Sequence, residues 1–350
     1  MDRFVIPTGT SRPSIVAVGP DLVDRIGELL DDRPGRATVA VASQPTTVRI
    51  AGAVAERLRA AGLGTVHVPF PDGEAAKTIE VLGDAYRALN QAGLTRDDTV
   101  VAVGGGALTD AAGFVAATYL RGIEAVYVPT TLLAAVDAAI GGKTAINVDG
   151  KNLAGAFAHP TAVVVDESIL AALPVDEAAQ GHAEALKAGY VGDPELVAMY
   201  RAASAAVDVG AVVRRAVGVK VEIVRRDFEE RGPRAHLNLG HTVGHAVEAA
   251  TGLRHGSAVA IGMVAAAAAS KHVTGFDWID DVRGILEGLG LPVAAPHVAR
   301  DRLVALMALD KKRTAAGLRM VLLEDVGVPV VVDVGDATVR TALDAIGVRP

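Results

Sequence analysis

Short apolar runs alternate with amphipathic stretches along the first half of the chain. The apolar runs are rich in valine and alanine and occupy residues 36–43, 64–70, 98–105, 124–130 and 161–166. Such near-continuous runs are typical of parallel strands that are buried on both faces. Between them, residues 46–62 and 77–93 carry apolar side chains at helical spacing. The alternation predicts an α/β domain with a Rossmann-like, doubly wound sheet.

The pattern changes near residue 175, where long alanine-rich helical segments replace the alternation. The run AVAIGMVAAAAAS, residues 258–270, is too short to span a bilayer and is interpreted as a buried helix. Two strand-like runs return only at 319–334. We therefore expect two domains, an α/β domain of nucleotide-binding type over residues 1–170 and a mostly α-helical domain over residues 171–350.

Composition narrows the possible functions. The chain has 350 residues, 51% of them hydrophobic, which is enough for two cores. A net charge of −7 argues against nucleic-acid binding, since nucleic-acid binders usually show a basic face. The first residues, MDRFVIPTGTSRP, lack the apolar core of a signal peptide. We therefore expect a cytoplasmic protein that binds neither nucleic acid nor membrane.

A triple glycine, Gly104, Gly105 and Gly106, joins a predicted strand to a predicted helix within residues 98–120. Glycines at this place let backbone N–H groups approach a phosphate, and the helix N-terminus adds its positive dipole. The motif is not the usual G-x-G-x-x-G fingerprint, so a tight turn without a ligand stays an alternative. Glu74 and Lys77, in another loop after a strand, are candidates for the same ligand because open α/β sheets bind ligands at strand ends.

Five of the nine histidines lie between residues 182 and 255, and the chain has no cysteine. A zinc site would need nitrogen and oxygen ligands, and His/carboxylate sites are usually catalytic. Spacing alone favours His241 and His245 as ligands, since histidines four apart converge on one metal, with Glu184 as a candidate carboxylate. Packing of the histidines without a metal stays the alternative. Basic residues nearby suggest a pocket for a small polyanion: Lys187, Lys220, Arg234, Lys311 and Lys312.

Seven motifs resemble the sugar-phosphate cyclases, and within them the 3-dehydroquinate synthase family, in family order across nearly the whole chain. They are GGGALTDAAGFVAATYLRGI, VPTTLLAAVDAAIGGKTAIN, GKNLAGAF, AEALKAG, RAHLNLGHTVGHAVE, HGSAVAIGM and LDKK. The resemblance implies zinc, or cobalt, held by Glu184, His241 and His255, which moves His245 from ligand to proton transfer or phosphate contact. It places NAD against Asp72, Glu74, Lys77, Gly104, Gly105, Gly106, Asp110, Thr130, Thr131, Lys143, Lys151, Asn152 and Glu177.

The resemblance further implies an anionic sugar-phosphate substrate, 3-deoxy-D-arabino-heptulosonate 7-phosphate, on the shikimate pathway. Substrate and catalytic positions would be Asp137, Lys143, Asn152, Lys187, Lys220, Arg234, Asn238, His245, Lys312 and Arg121. Arg234 and Lys220 would take the carboxylate end. Lys143, His245 and Lys312 would take the phosphate end, together with Arg121 reaching across a homodimer interface.

The implied reaction oxidises C5 with NAD as hydride acceptor, eliminates phosphate, returns the hydride and closes a carbocycle by an intramolecular aldol step. The leaving phosphate can itself take the C6 proton, so no strong protein base is required. A metal would act as a Lewis acid on the C5 oxygen and its neighbour. NAD is regenerated in each turnover and therefore acts as a catalyst.

The sequence departs from the family pattern at eight positions. Alanines replace serines after Asp137, histidines replace apolar residues beside the metal segments, and smaller changes lie near the cofactor; the positions are Gln44, Ala138, Ala139, Ala172, His182, Ala188, His236 and Ser257. None removes a ligand or an anion-binding base. Fine substrate preference and cofactor affinity are the properties that they put in question.

Three rival functions remain at the level of sequence. The nearest is a sister cyclase for an amino-substituted heptulosonate or for sedoheptulose 7-phosphate. The latter sugar has no carboxylate, so retention of Arg234, Asn238 and the LDKK lysines favours the acid substrate. A metal-dependent NAD alcohol dehydrogenase and a catalytically inactive NAD-binding homologue are the other two.

Overall fold

The structure, a computed structural model, describes residues 1–9, 12–30, 38–203, 206–309, 313–314 and 317–349. The chain divides into two compact units. Unit 1 contains Met1–Leu173 together with Lys220–Glu229, and unit 2 contains Pro174–Val219 and Glu230–Pro350. A single boundary after residue 170 therefore does not describe the return of the chain to unit 1 at Lys220–Glu229.

Unit 1 is built on a seven-stranded sheet. The described part of this unit contains the strands β1 (Asp2–Ile6), β2 (Ser14–Gly19), β3 (Thr38–Ser43), β4 (Gly64–Pro69), β5 (Thr99–Gly104), β6 (Glu124–Pro129), β7 (Lys143–Ile146), β8 (Ala154–Phe157) and β9 (Ala162–Asp166). The large sheet has the order β1-β2-β9-β6-β5-β3-β4, and β7 pairs with β8 in a separate hairpin. Apart from the antiparallel β1–β2 pair, its strands run parallel.

The five strands predicted from apolar runs are all present as β3, β4, β5, β6 and β9. Val39, Val101, Val126 and Val164 are buried in one cluster with side chains from the covering helices, as expected for central parallel strands. Among the described residues, the α-helices that lie wholly in this unit are α1 (Ile26–Leu30), α2 (Val48–Ala60), α3 (Ile79–Gln91), α4 (Gly106–Thr118) and α5 (Glu167–Ala171). The predicted Rossmann-like architecture is confirmed.

Unit 2 is mostly helical, as the sequence predicts. Its helices are α6 (Val175–Gly192), α7 (Pro194–Ala203), α8 (Val209–Arg226, whose last residues belong to unit 1), α9 (His241–Thr251), α10 (His255–Val273), α11 (Ile279–Gly288), α12 (Arg300–Leu309) and α13 (Asp336–Ala345). Three antiparallel strands complete it: β10 (Arg313–Thr314), β11 (Gly317–Asp325) and β12 (Val328–Val334). The last two account for the strand-like runs at 319–334.

Helix α10 is the central element of unit 2. Every residue from Gly256 to Ser270 is buried, which confirms the buried helix predicted from the alanine-rich run. By length and hydropathy α10 also qualifies as a candidate membrane span, but 78% of the relevant window is buried inside the protein. A core helix with this composition passes the same test, so the feature is accounted for by packing.

Candidate functional site

The glycine turn of unit 1 lies at the carboxyl edge of the parallel sheet. Gly104, at the end of β5, is in register with Pro129 at the end of β6. The backbone N–H of Thr130 donates to the carbonyl oxygen of Gly104 at 3.0 Å. The structure therefore brings Gly104, Gly105 and Gly106 beside Thr130 and Thr131, at the edge of an open α/β sheet where ligands normally bind.

Gly105 lies where the backbone of the glycine turn passes close to Thr131. Gly105 caps the N-terminus of α4 in an extended conformation, with φ −78° and ψ −174°. A Cβ atom at this position would lie 3.3 Å from Cγ2 of Thr131, so even alanine fits tightly. The first N–H groups of α4 thus border a glycine cradle, which is the arrangement that receives a dinucleotide pyrophosphate. The residues present fit NAD.

Three of the predicted cofactor positions are joined by hydrogen bonds, and a buried lysine is at their centre. Lys77, only 1% exposed, donates to Asp110 Oδ2 at 2.6 Å and to the side-chain oxygen of Asn152. Burial raises the pKa of Asp110 to about 6, although the adjacent Lys77 acts in the opposite direction. Asn152 has a left-handed backbone with φ 58°, and Asn147 Oδ1 accepts from its N–H at 2.9 Å. One hydrogen-bonded cluster therefore fixes this part of the edge.

Exposed carboxylates border the same edge. Asp72 Oδ1 accepts from the hydroxyl of Thr46 at 2.7 Å, and Glu74 Oε2 accepts from Asn147 Nδ2 at 2.8 Å. Lys151 Nζ lies 4.0 Å from Glu74 Oε1. Carboxylates held in this way are acceptors for hydroxyl groups, since an ionised carboxylate only accepts hydrogen bonds.

Of the remaining predicted positions of unit 1, two form an ion pair and two are exposed. Lys220, buried near the end of α8, forms an ion pair with Asp137 in the helical turn Ala134–Ala138. Lys143 begins β7 and is exposed. Arg121 is also exposed and has a left-handed backbone with φ 67°.

Three side chains in unit 2 form a candidate metal centre. Glu184 lies in the middle of α6, His241 is the first residue of α9, and His255 is the first residue of α10. One ligand atom from each lies within 4.8 Å of the other two. Nε2 of His255 is 3.2 Å from Glu184 Oε1, and Nε2 of His241 is 3.4 Å from the same oxygen. A buried carboxylate with two imidazoles is the donor set of catalytic zinc sites, so these residues fit Zn²⁺ or Co²⁺.

The electrostatics of this centre favour an ionised carboxylate and at least one neutral imidazole. Burial alone would raise the pKa of Glu184, but Lys187 and the histidines hold it well below its usual value. Burial lowers the pKa of His241 to about 4. Burial also acts to lower the pKa of His255, but hydrogen bonds to Glu184 and Glu248 raise it to about 9. An ionised carboxylate and neutral imidazole are the forms that bind metals.

The choice of His245 as a ligand from its spacing is not supported. Its ring lies near those of His241 and His255, with centroids 5.1 Å and 5.9 Å away, but it is outside the candidate ligand group. Spacing of four residues places His241 and His245 on one face of α9, but it does not show where the other ligands lie. Those ligands come from α6 and α10, and only His241 of the two histidines belongs to the group that they form. His245 is exposed, in a position to contact a ligand from solution.

The other predicted positions of unit 2 differ in burial. Arg234 is 2% exposed within the 3-10 helix Pro233–Asn238, and Lys187 is buried beside Glu184. Asn238 Nδ2 donates to Glu230 Oε1 at 2.7 Å. Glu177 contacts Arg254 at 2.6 Å. Lys311 and Lys312 lie outside the described residues.

Two of the departures from the family pattern have packing roles. His182 Nδ1 lies 2.8 Å from the hydroxyl of Tyr200, and burial lowers the pKa of His182 to about 4. Ser257 accepts from Gln180 Nε2 at 3.0 Å and donates its N–H to Gln180 Oε1 at 3.0 Å. Neither residue belongs to the candidate ligand group.

Sequence reasoning missed the residues that hold the predicted ones in place. Glu248 Oε2 lies 2.9 Å from Nδ1 of His255, Asn147 holds Asn152, and Glu230 holds Asn238. Of these three residues, only Glu248 could have been identified from the sequence. It follows His241 by seven residues in one helix, which places both on the same face.

Comparison with known proteins decides the family. The N-terminal model of 3-dehydroquinate synthase matches residues 67–180, and the C-terminal model matches residues 181–313. A 3-dehydroquinate synthase from Thermobifida fusca (strain YX) is 44% identical to the chain, covering 98% of this chain and 96% of its own. The chain belongs to the 3-dehydroquinate synthase family. A relative of the same name from Mycolicibacterium gilvum (strain PYR-GCK) is 43% identical, with 94% of each chain covered.

Solved structures share the fold of this chain. A 2-epi-5-epi-valiolone synthase from Streptomyces hygroscopicus subsp. jinggangensis 5008, solved with NAD⁺ and Zn²⁺ bound, is 28% identical with a TM-score of 0.86, covering 97% of this chain and 98% of its own. A 2-deoxy-scyllo-inosose synthase, complexed with carbaglucose-6-phosphate, NAD⁺ and Co²⁺, shares the fold at 24% identity and a TM-score of 0.87, covering 98% and 99%. Both of these structures of the same fold contain NAD⁺ and a divalent metal.

Proposed function

We propose that this chain is a lyase that converts 3-deoxy-D-arabino-heptulosonate 7-phosphate into 3-dehydroquinate and phosphate. The observation that carries the proposal is the group of Glu184, His241 and His255, whose ligand atoms lie within 4.8 Å of one another. These residues lie in the region that the C-terminal family model matches. Curated relatives at 43–44% identity bear the name of this activity, which supports it over the sister cyclases found at 24–28% identity.

Two groups supplied from solution would provide the redox and Lewis-acid chemistry. Bound NAD would accept and return a hydride at C5, and bound Zn²⁺ or Co²⁺ would polarise the oxygens there. Glu184, His241 and His255 would hold the metal. The cofactor positions would be Asp72, Glu74, Lys77, Gly104, Gly105, Gly106, Asp110, Thr130, Thr131, Lys143, Lys151, Asn152 and Glu177.

Basic and amide groups of the chain would bind the polyanionic substrate. Arg234 can form two parallel hydrogen bonds to a carboxylate, and its burial strengthens that interaction because little water competes. Asn238, held by Glu230, would present its amide to the same substrate. Lys143 and His245 are exposed and would contact the phosphate, which takes the C6 proton as it leaves.

The charge of Lys187 and Lys220 is already balanced by a neighbouring carboxylate. Lys187 is paired with Glu184, and Lys220 with Asp137. Each lysine would therefore be held in a defined direction before the substrate arrives, which reduces the entropy lost on binding. We further propose a cytoplasmic homodimer in which Arg121 of each chain serves the site of its partner.

A coupled assay for phosphate release tests the proposal. The protein should release phosphate from the heptulosonate phosphate only when NAD and a divalent metal are present, without net formation of NADH. A chelator should abolish turnover, and added Zn²⁺ should restore it. Faster turnover of sedoheptulose 7-phosphate would identify a sister cyclase, and net NADH from a simple alcohol would identify a dehydrogenase.

Arg234→Met tests the acid substrate more directly. It removes the guanidinium but retains an unbranched side chain, so NAD and metal should still bind. Turnover should fall by about two to three powers of ten, since leaving one partner of a charge-assisted pair alone costs roughly 3–4 kcal/mol. Arg340→Met, at an exposed position of α13, is the matched control and should retain full activity. Equal turnover by both variants would remove Arg234 from the substrate site.

A further inference from the structure

We propose that Glu248 is a positioning residue for the metal ligand His255, an inference that rests on the proposed metal-dependent function. Glu248 follows the ligand His241 by seven residues, almost two turns of α9. The two side chains therefore lie on one face of the helix. Glu248 reaches from this face to the first residue of α10, where its Oε2 lies 2.9 Å from Nδ1 of His255. Its side chain is only 20% exposed.

The two nitrogens of His255 face different carboxylates. Nε2 lies 3.2 Å from Glu184 Oε1, while Nδ1 lies 2.9 Å from Glu248 Oε2. A neutral imidazole has one N–H and one lone pair, and the hydrogen bond made by one nitrogen decides which form is present. An ionised Glu248 can only accept, so it keeps the proton on Nδ1. A metal that displaces the proton of Nε2 would then meet the lone pair of that nitrogen beside Glu184.

Glu248 is not a fourth ligand. It contacts the nitrogen of His255 that is opposite the one facing Glu184, and it is absent from the group whose ligand atoms lie within 4.8 Å. Its effect on a metal would pass through the imidazole ring. A carboxylate that accepts from a ligating histidine fixes the orientation of the ring and makes the metal-bound nitrogen more basic.

His241 provides an internal contrast. Its Nδ1 lies 3.1 Å from the backbone carbonyl oxygen of Leu239, which can fix the same tautomer. No side-chain substitution removes that acceptor. The tautomer of His255, by contrast, depends on one side chain, so a change at Glu248 should weaken one ligand of the three without touching the other two.

Metal affinity of the full-length protein tests the inference. Protein stripped with a chelator is titrated with Zn²⁺ in competition with a chromophoric chelator, and with Co²⁺ followed by its visible absorption. Glu248→Ala should weaken Zn²⁺ binding about 10–100-fold and alter the Co²⁺ spectrum. Glu248→Gln should rescue binding to within about threefold of the wild type, because its carbonyl oxygen still accepts from Nδ1–H. Glu287→Ala, at an exposed position of α11, is the control and should bind normally.

Several outcomes would overturn the inference. It is wrong if Glu248→Ala binds Zn²⁺ as the wild type does, or if Glu248→Gln is as weak as Glu248→Ala. Nitrogen NMR of the zinc-loaded wild type gives a test that does not depend on a variant folding, since it must show His255 bound through Nε2 and protonated on Nδ1. Failure of the wild type to bind any divalent metal would instead refute the proposed metal-dependent function.

Discussion

At the residue scale, the histidines of unit 2 have separable roles. His255 lies 3.2 Å from Glu184 and belongs to the candidate ligand group, whereas the exposed His245 does not. We expect His255→Ala to lose most of its metal after dialysis, because one of three ligands is gone. His245→Ala should remain metal-loaded, since loss of a group beside the ligands lowers metal affinity only about 10–100-fold. Elemental analysis of both variants measures this. Metal lost from His245→Ala but kept by His255→Ala would reverse the assignment.

Asp110 should make the stability of the protein depend on pH. Burial raises the pKa of Asp110 from 3.8 to about 6. The folded protein therefore binds a proton between about pH 4 and 6 that the unfolded chain has already released. This contribution to stability is complete below about pH 4 and is lost as the pH rises through 6.

The variant Asp110→Asn isolates this effect. Between pH 4 and 7 the wild type should lose up to about 3 kcal/mol more unfolding free energy than the variant, at 1.36 kcal/mol for each pKa unit. Urea unfolding of NAD-free protein at a series of pH values measures the difference. Any constant offset between the two proteins reflects the loss of the Lys77 partner and does not affect the comparison. Parallel pH profiles would show that Asp110 titrates normally.

At the scale of elements, the crossing of α9 and α10 sets the distance between two metal ligands. A Cβ atom on Gly262 of α10 would overlap the carbonyl oxygen of Gly240, and one on Gly244 of α9 would lie 2.9 Å from the carbonyl oxygen of Ala258. The helices therefore touch through backbone atoms. Since His241 begins α9 and His255 begins α10, forcing the helices apart must also separate these ligands.

Gly262→Ala should accordingly weaken both the fold and the metal site. Overpacking of this kind costs about 1–3 kcal/mol or more, and zinc affinity should fall with it. Thermal unfolding and zinc titration measure the two effects. Gly284→Ala in α11 is the matched control, because a Cβ there meets no atom within 4 Å. The control should gain up to about 1 kcal/mol from helix propensity and bind zinc normally. If Gly262→Ala bound zinc as tightly as the wild type, the close crossing of α9 and α10 would not control the metal site.

The sequence predicts elements best where one physical signal dominates. The five strands with long apolar runs were predictable because central parallel strands are buried on both faces. The hairpin β7–β8 was not, since its four-residue strands are too short for a clear period and β8 contains no buried residue. The return of Lys220–Glu229 to unit 1 has no signal in the sequence either, because it occurs inside the continuous helix α8.

For the site, residue types were predictable and partners were not. A histidine-rich, cysteine-free helical segment indicates nitrogen and oxygen ligands, but helical spacing alone selects His245 over His255. Distance along the chain cannot show that the start of α10 lies beside α6. The pairing of Lys77 with Asp110, 33 residues apart, is likewise a product of tertiary structure. Only the family resemblance selected Glu184, His241 and His255 before the structure did.

At the scale of the whole molecule, the proposed homodimer makes each site depend on two chains. Arg121 is exposed and follows Leu120, and both have left-handed backbones with φ 67° and φ 50°. Such conformations cost about 1–3 kcal/mol each for residues other than glycine and tend to occur at functional positions. The turn leaves Arg121 exposed, which is what the proposed role of this residue across the homodimer requires.

Mixing two inactive variants tests this arrangement. Arg121→Met lacks the donated arginine, and His255→Ala lacks a metal ligand, so each homodimer should be inactive. In a mixed dimer the Arg121→Met chain keeps its own metal ligands and receives Arg121 from its partner, which restores one site of two. Random exchange of equal amounts should recover about a quarter of wild-type activity, because half of the dimers are mixed. Activity is measured as phosphate release after subunit exchange. A mixture as inactive as its components, with exchange verified by mass spectrometry, would place Arg121 in the site of its own chain.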